Sequence, residues 1–83
     1  MINQLNSLLR EPRTVEATGK SRASLWAEIK AGLFVPPVKI STRSIAWPAS
    51  EVAAINQARI AGKSDEEIKA LVVRLVAARR EAA

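Results

Sequence analysis

Neither cysteine nor histidine occurs in this 83-residue chain. That double absence removes disulfides, Cys/His zinc sites and every nucleophile–base pair built on a thiol or an imidazole. Acid–base chemistry would have to rest on one Asp, seven Glu and the lysines, and no two of these carboxylates fall in a hydrolase or metal-ligand pattern. Neither an enzymatic activity nor a cofactor is expected. Long apolar runs are missing too: the most apolar stretch, Leu71 to Ala78, is interrupted by Arg74. The opening Met1-Ile2-Asn3-Gln4-Leu5-Asn6 lacks a positive segment leading into an apolar one. A signal peptide, a membrane span and a membrane partner are therefore not expected, and the expected location is cytoplasmic, with which the lack of cysteine is compatible.

Hydrophobic residues make up 48% of the chain and charged residues 25%, proportions of a chain that folds rather than one that stays disordered. A chain of this length hides only about 60% of the surface its unfolded form exposes, so one small domain with a short extension is expected. Thirteen Lys and Arg against eight Asp and Glu give a net charge of +5, which suggests an anionic partner. The excess is uneven. Residues 10 to 47 hold seven bases (Arg10, Arg13, Lys20, Arg22, Lys30, Lys39 and Arg43) against three acids, whereas residues 48 to 83 hold six bases and five acids. Positive potential belongs to the first half, and the second reads as solvated helix of mixed sign.

Pro12 suits the first turn of a helix over about 11–18, closed by Thr18-Gly19. Ser21 offers a hydroxyl cap to a second helix over about 21–31, in which Leu25, Trp26 and Ile29 share one face until Gly32 ends the pattern. Helices this close in sequence cannot lie antiparallel, so a tight helix-turn-helix with a steep crossing is expected. Pro36 and Pro37 then forbid helix. Val38-Lys39-Ile40-Ser41 and Ser44-Ile45-Ala46-Trp47 alternate as two half-buried strands of a hairpin, although Ser41-Thr42-Arg43 contains no glycine. Pro48 opens another helix that ends near Gly62. Ser64-Asp65-Glu66-Glu67 is a capping box before Ile68, Leu71, Val72, Leu75 and Val76 at helical one-face spacing. The expected fold is mainly α with a small two-stranded β wing: a winged helix-turn-helix with C-terminal helices.

In such a layout the second helix can enter a major groove and the hairpin can follow the backbone or the minor groove. At about 100° per residue, Leu25, Trp26 and Ile29 fall on the inner side. Lys20, Ala23, Ala27 and Ala31 lie opposite, with Ser24 and Lys30 at the margins. That outward face is small and polar, so Ser24 could reach a base edge or a phosphate and Lys20 and Lys30 could reach phosphates; the plainer reading is a solvated helix surface. Arg22, at the helix start, could grip phosphate, read a guanine, or pack its stem over Trp26. Trp26 itself is expected in the core.

Thr18-Gly19-Lys20-Ser21-Arg22-Ala23-Ser24-Leu25-Trp26, then Gly32-Leu33-Phe34, Pro37-Val38-Lys39-Ile40, Arg43, Trp47 and Ser50-Glu51-Val52 resemble the AlpA family of phage-type regulators in order and in gaps, over about residues 10 to 52. The family pattern runs roughly T-G-L-S-R-S-T-I-Y, G-x-F-P-x-P-V-K-L-G-x-R, then Trp and S-E-V, and members resemble excisionases and the DNA-binding part of MerR-type regulators. The resemblance implies a small winged-helix DNA binder that regulates transcription or promotes excision. It places Ser21, Arg22 and Ser24 on the reading helix and Lys39 and Arg43 on the wing. Lys20 for Leu, Ser24 for Thr, Ala27 for Arg, Val35 for Pro and Ser41 for Gly depart from the pattern and imply a different operator or altered phosphate contacts.

The expected partner is therefore double-stranded DNA, bound through Lys20, Ser21, Arg22, Ser24 and Lys30 of the helical unit and Lys39, Thr42 and Arg43 of the wing. Homo-oligomeric or cooperative assembly on DNA remains open, as do a recombination directionality factor and a protein-interaction module acting through the C-terminal helix. The expected organisation is a frayed tail over 1–9, the DNA-binding domain over 10–62 and an amphipathic helix over 63–83. That last helix either folds back on the helix of residues 48–61, the favoured arrangement, or pairs with a second copy.

Overall fold

The computed structural model describes residues 6–82. In chain order the elements are β1 (Leu8–Leu9), α1 (Glu11–Thr18), α2 (Arg22–Ala31), β2 (Val38–Ser41), β3 (Ser44–Pro48), α3 (Ala49–Ile60) and α4 (Asp65–Ala78), followed by a 3-10 turn, Arg79–Ala82. The protein is mainly helical, with a three-stranded antiparallel sheet in the order β1-β3-β2. The boundaries follow local chemistry. Pro12 sits in the first turn of α1, and Gly19 and Gly32, at φ 71° and 82°, end α1 and α2 in the left-handed conformation that side chains disfavour.

The expected two strands become three, because part of the presumed tail is a strand. Leu8 pairs with Pro48 and Leu9 with Trp47; residues 1–5 of that tail lie outside the described residues. The neighbouring residues also cap α3. Pro48, the residue before that helix, has no side chain able to cap it. The Ala49 N–H donates instead to the Ser7 carbonyl at 2.7 Å and the Ser50 N–H to Asn6 Oδ1 at 3.0 Å, which satisfies helix-start donors that otherwise have no partner.

Trp47 on the central strand is the largest side chain in the core. It is fully buried, and its indole N–H donates to the Val35 carbonyl at 3.0 Å. Around it pack Leu25, Phe34, Val35, Val52, Ile55, Ile68 and Val72. α1 packs on α3 and β3, and α3 packs on α4. Ile68 and Val72 of α4 thus enter the core directly, with Leu71, Leu75 and Val76 against its edge. The Arg79 guanidinium holds the far end of α4 through Nε and Nη2 to the buried Glu51 carboxylate at 2.6–3.2 Å and through Nη2 to the Pro36 carbonyl at 2.7 Å.

The hairpin departs from simple alternation. Its connection is the pair Thr42-Arg43, and none of the described non-glycine residues has positive φ. The two-residue turn whose twist best matches a hairpin needs positive φ at both positions and is therefore excluded. A one-residue register shift between Lys39 and Ser41 takes up the mismatch. Ile40, expected to be half-buried, is accordingly 42% exposed. Ala46, on the nominally polar side of β3, is fully buried, on a strand against which both α1 and α3 pack.

Candidate nucleic-acid interface

Three residues, Gly19, Lys20 and Ser21, separate the end of α1 from the start of α2. Ser21 Oγ accepts the Ser24 backbone N–H at 3.1 Å, so this hydroxyl acts as the helix cap, and its place among the expected DNA contacts is shared with that duty. Leu25 is the one buried residue of α2. Arg22, Ala23, Ser24, Ala27, Lys30 and Ala31 are exposed. On the hairpin, Lys39, Thr42 and Arg43 are exposed as well, and among the described residues Lys30, Lys39 and Arg43 form no ion pair.

Lys20 is placed differently. Its Nζ lies 3.5 Å from Glu28 Oε1, and its side chain is only 19% exposed. The same carboxylate oxygen lies 3.5 Å from Arg59 Nη2, and Arg59 Nη1 is 3.7 Å from Asp65. Glu28 Oε1 is buried within ion-pair range of two cations yet accepts no hydrogen bond from either. The network ties the turn before α2 to α3 and to the start of α4, and it directs the Lys20 charge inward.

Trp26, expected in the core, is 37% exposed and meets Trp47 edge-on, with ring centroids 5.7 Å apart and planes at 66°. The reason is Glu11. Its Oε2 accepts the Trp26 indole N–H at 2.6 Å while its Oε1 accepts Arg22 Nη2 at 3.1 Å. The indole hydrogen bond, opposed by partial desolvation and helped by Arg22, holds the Glu11 carboxyl below the usual carboxylate range. Arg22 and Trp26 thus share one carboxylate, and the Arg22 side chain is 72% exposed and tethered at one point. Neither carboxylate was singled out from the sequence, because Glu11 meets residues 11 and 15 positions away and Glu28 one 31 positions away, beyond any local spacing rule.

A fully buried Thr14 and a side-chain cap from another helix steady the unit. Thr14 Oγ1 donates to the Arg10 carbonyl at 3.1 Å, and Asn56 Nδ2 of α3 donates to the Ala17 carbonyl near the end of α1 at 3.0 Å.

Two short helices on a three-residue turn, the second presenting a small cationic face and followed by an antiparallel hairpin, define a small helix-turn-helix protein. The chain belongs to the AlpA family: the family profile, described as prophage CP4-57 regulatory protein (AlpA), matches residues 7–60. ORF88 of Enterobacteria phage P4, described as an uncharacterized protein, is 38% identical over 55 residues. The alignment takes in 66% of this chain and 62% of that protein, so the chain spans less than two thirds of its relative's length. No solved structure matches the chain. The matched region takes in β1 through α3 and leaves out α4.

Proposed function

We propose that the protein is a sequence-specific double-stranded-DNA-binding regulator of the prophage type, built as a winged helix-turn-helix, with α2 in the major groove and the β2–β3 hairpin on the backbone or in the minor groove. The observation that carries this reading is the exposed face of α2. Its projecting groups are the alanines 23, 27 and 31, Ser24, Arg22 and Lys30, a face low enough for close approach to base edges, with none of its own projecting side chains acidic and Glu11 of α1 paired to Arg22 at its start. Arg22 and Ser24 read bases, Lys30 and the hairpin residues Lys39, Thr42 and Arg43 meet phosphates, and Ser21 and Lys20 secure the turn that presents them.

An interaction module working through α4 has less support, since the apolar stripe of that helix is spent inside the protein on Ile68 and Val72. No helix among the described residues is long and apolar enough to cross a membrane. Footprinting on the DNA flanking the gene tests the proposal. Discrete protected sites that vanish in Arg22→Ala support it, and uniform protection that fades with salt, without discrete sites, overturns sequence-specific recognition. Regulation and excision would use the same contacts; a reporter placed beside the protected site, run in parallel with an excision assay on the same DNA, separates them.

A further inference from the structure

The Glu11 carboxylate lies between the core and the helix start that meets DNA in the reading above. Behind it runs a chain of rigid groups. Trp47 is fully buried and bonded to the Val35 carbonyl, Trp26 packs edge-on against Trp47, and the Trp26 indole N–H donates to Glu11 Oε2 at 2.6 Å. In front of it is Arg22, whose Nη2 donates to Glu11 Oε1 at 3.1 Å while its side chain remains 72% exposed. We propose that Glu11 is a positioning and specificity-determining residue for duplex binding, holding the Arg22 guanidinium ready for a base and penalising placements in which Arg22 serves only as a point charge. The proposal rests on the assignment of α2 as the DNA-facing helix.

Two physical arguments support it. An exposed arginine loses much rotamer freedom when it takes up a bidentate contact, and a tether through one Nη removes part of that loss in advance. Only Nη2 is engaged among the described residues, so the other donors of the fork stay available for a guanine edge. A carboxylate beside the guanidinium also repels phosphate. Binding that relies on backbone charge alone is weakened, while binding that gains a base contact is weakened less, and specificity rises through the penalty on the wrong complexes. The indole bond matters because it fixes Glu11 on a side chain that is itself seated against the core.

The test uses the full chain and a duplex selected by the wild-type protein from a random pool, with a scrambled duplex of equal composition beside it. Glu11→Gln is expected to tighten binding to the scrambled duplex, weaken binding to the selected one and lower the ratio of the two affinities about tenfold, the scale of one bidentate base contact. In an Arg22→Ala background the same change should leave the ratio unaltered. Trp26→Phe, which keeps a ring but removes the donor, should lower the ratio in the same direction and by less. If Glu11→Gln shifts both duplexes by one common factor, or lowers the ratio equally without Arg22, the proposal is overturned. Failure of the wild type to select any duplex overturns the assignment of α2 itself. The tether is then read without DNA, from hindered rotation of the Arg22 guanidinium in nuclear magnetic resonance spectra, which should be present in the wild type and lost in Glu11→Gln. Identical rotation in both overturns the tether.

Discussion

The starts of α2 and α4 are capped by the same residue type and then diverge. Before α4, Ser64 Oγ accepts the Glu67 N–H at 3.2 Å and the Glu67 carboxylate accepts the Ser64 N–H at 2.8 Å, with Asp65, Glu66 and Glu67 all in the first turn. Before α2, Ser21 accepts the Ser24 N–H alone, the first turn has no acid, and its first residue is Arg22. Acids on a helix start are worth roughly 0.3–1 kcal/mol each. α2 forgoes that stabilisation and leaves its positive end for an anion from outside, whereas α4 neutralises its own. The burial pattern divides the same way. α2 gives Leu25 to the core, while α3 and α4 give Val52, Ile55, Ile68 and Val72. The helix read as meeting DNA is small-faced, and the core it rests on is supplied by Phe34, Val35 and Trp47 after it together with α3 and α4.

The strongest way to break this division is Ile68→Ala. Removing a fully buried side chain from α4 should cost about 2–5 kcal/mol, measured by denaturant unfolding, with a midpoint independent of protein concentration. Leu71→Ala with Leu75→Ala, on the half-buried edge of the same stripe, should act in the same direction. A variant that stays folded as a monomer and loses only self-association would assign the stripe to contact between copies instead.

Next in size is Arg79→Met. It strands Glu51, whose side chain is 9% exposed, and removes the donor to the Pro36 carbonyl. Breaking a fully buried pair costs about 3–5 kcal/mol, and with Arg79 itself 22% exposed about 1–3 kcal/mol is expected, partly recovered by adding Glu51→Gln. Full stability in Arg79→Met would show that α4 needs no ionic anchor.

Substitutions on α2 and the hairpin should change DNA binding and leave the fold alone. Arg22→Ala or Ser24→Ala should weaken specific binding by about 1–3 kcal/mol and narrow the gap to random duplex, with an unchanged melting temperature. Equal loss on both duplexes would make these residues backbone contacts only. Neutralising Lys39 and Arg43 together should weaken binding to all sequences and lower the slope of log affinity against log salt by about two. A slope left at the wild-type value would remove the hairpin from the interface.

What could be read from sequence alone follows the same line between local and distant chemistry. Pro12, Gly19, Ser21, Gly32 and the Ser64 capping box act on their own or adjacent turns, and the helices begin and end where these residues place them. β1 could not be read, because a two-residue strand has no alternation to detect, and its evidence is a partner some forty residues away. The placement of Ile40 depends on how a glycine-free turn absorbs twist, which no residue of the strand records. At the candidate site, exposure of Ser24, Lys30 and Lys39 followed from helical and strand periodicity and that of Arg43 from its place in the hairpin connection, whereas the helical angle of Arg22, near the apolar side, did not show its exposure. The inward turn of Lys20 and the Glu11 tether did not, since each is set by carboxylates that folding brings from elsewhere.

The smallest expected effects compare the two caps directly. Ser21→Ala should cost about 0.5–2 kcal/mol through loss of one side-chain acceptor, by the same amount at neutral and at acid pH, because no acid takes part in that cap. The α4 cap differs. Hydrogen bonds from the Ser64 backbone and then from its side chain hold the Glu67 carboxyl below its usual range. A carboxyl lowered in the folded state adds stability above its unfolded pKa, and that stability is lost as pH falls through the lowered folded value. Glu67→Gln should therefore lower stability slightly at pH 7 and flatten the decline on the acid side, while the contribution of Glu11, which has the same sign, persists. Denaturant unfolding of both variants at neutral pH and again below the carboxylate range measures the difference. If Ser21→Ala flattens the acid limb as much as Glu67→Gln does, the start of α2 is as acid-compensated as that of α4, and the proposed openness of α2 to an outside anion fails.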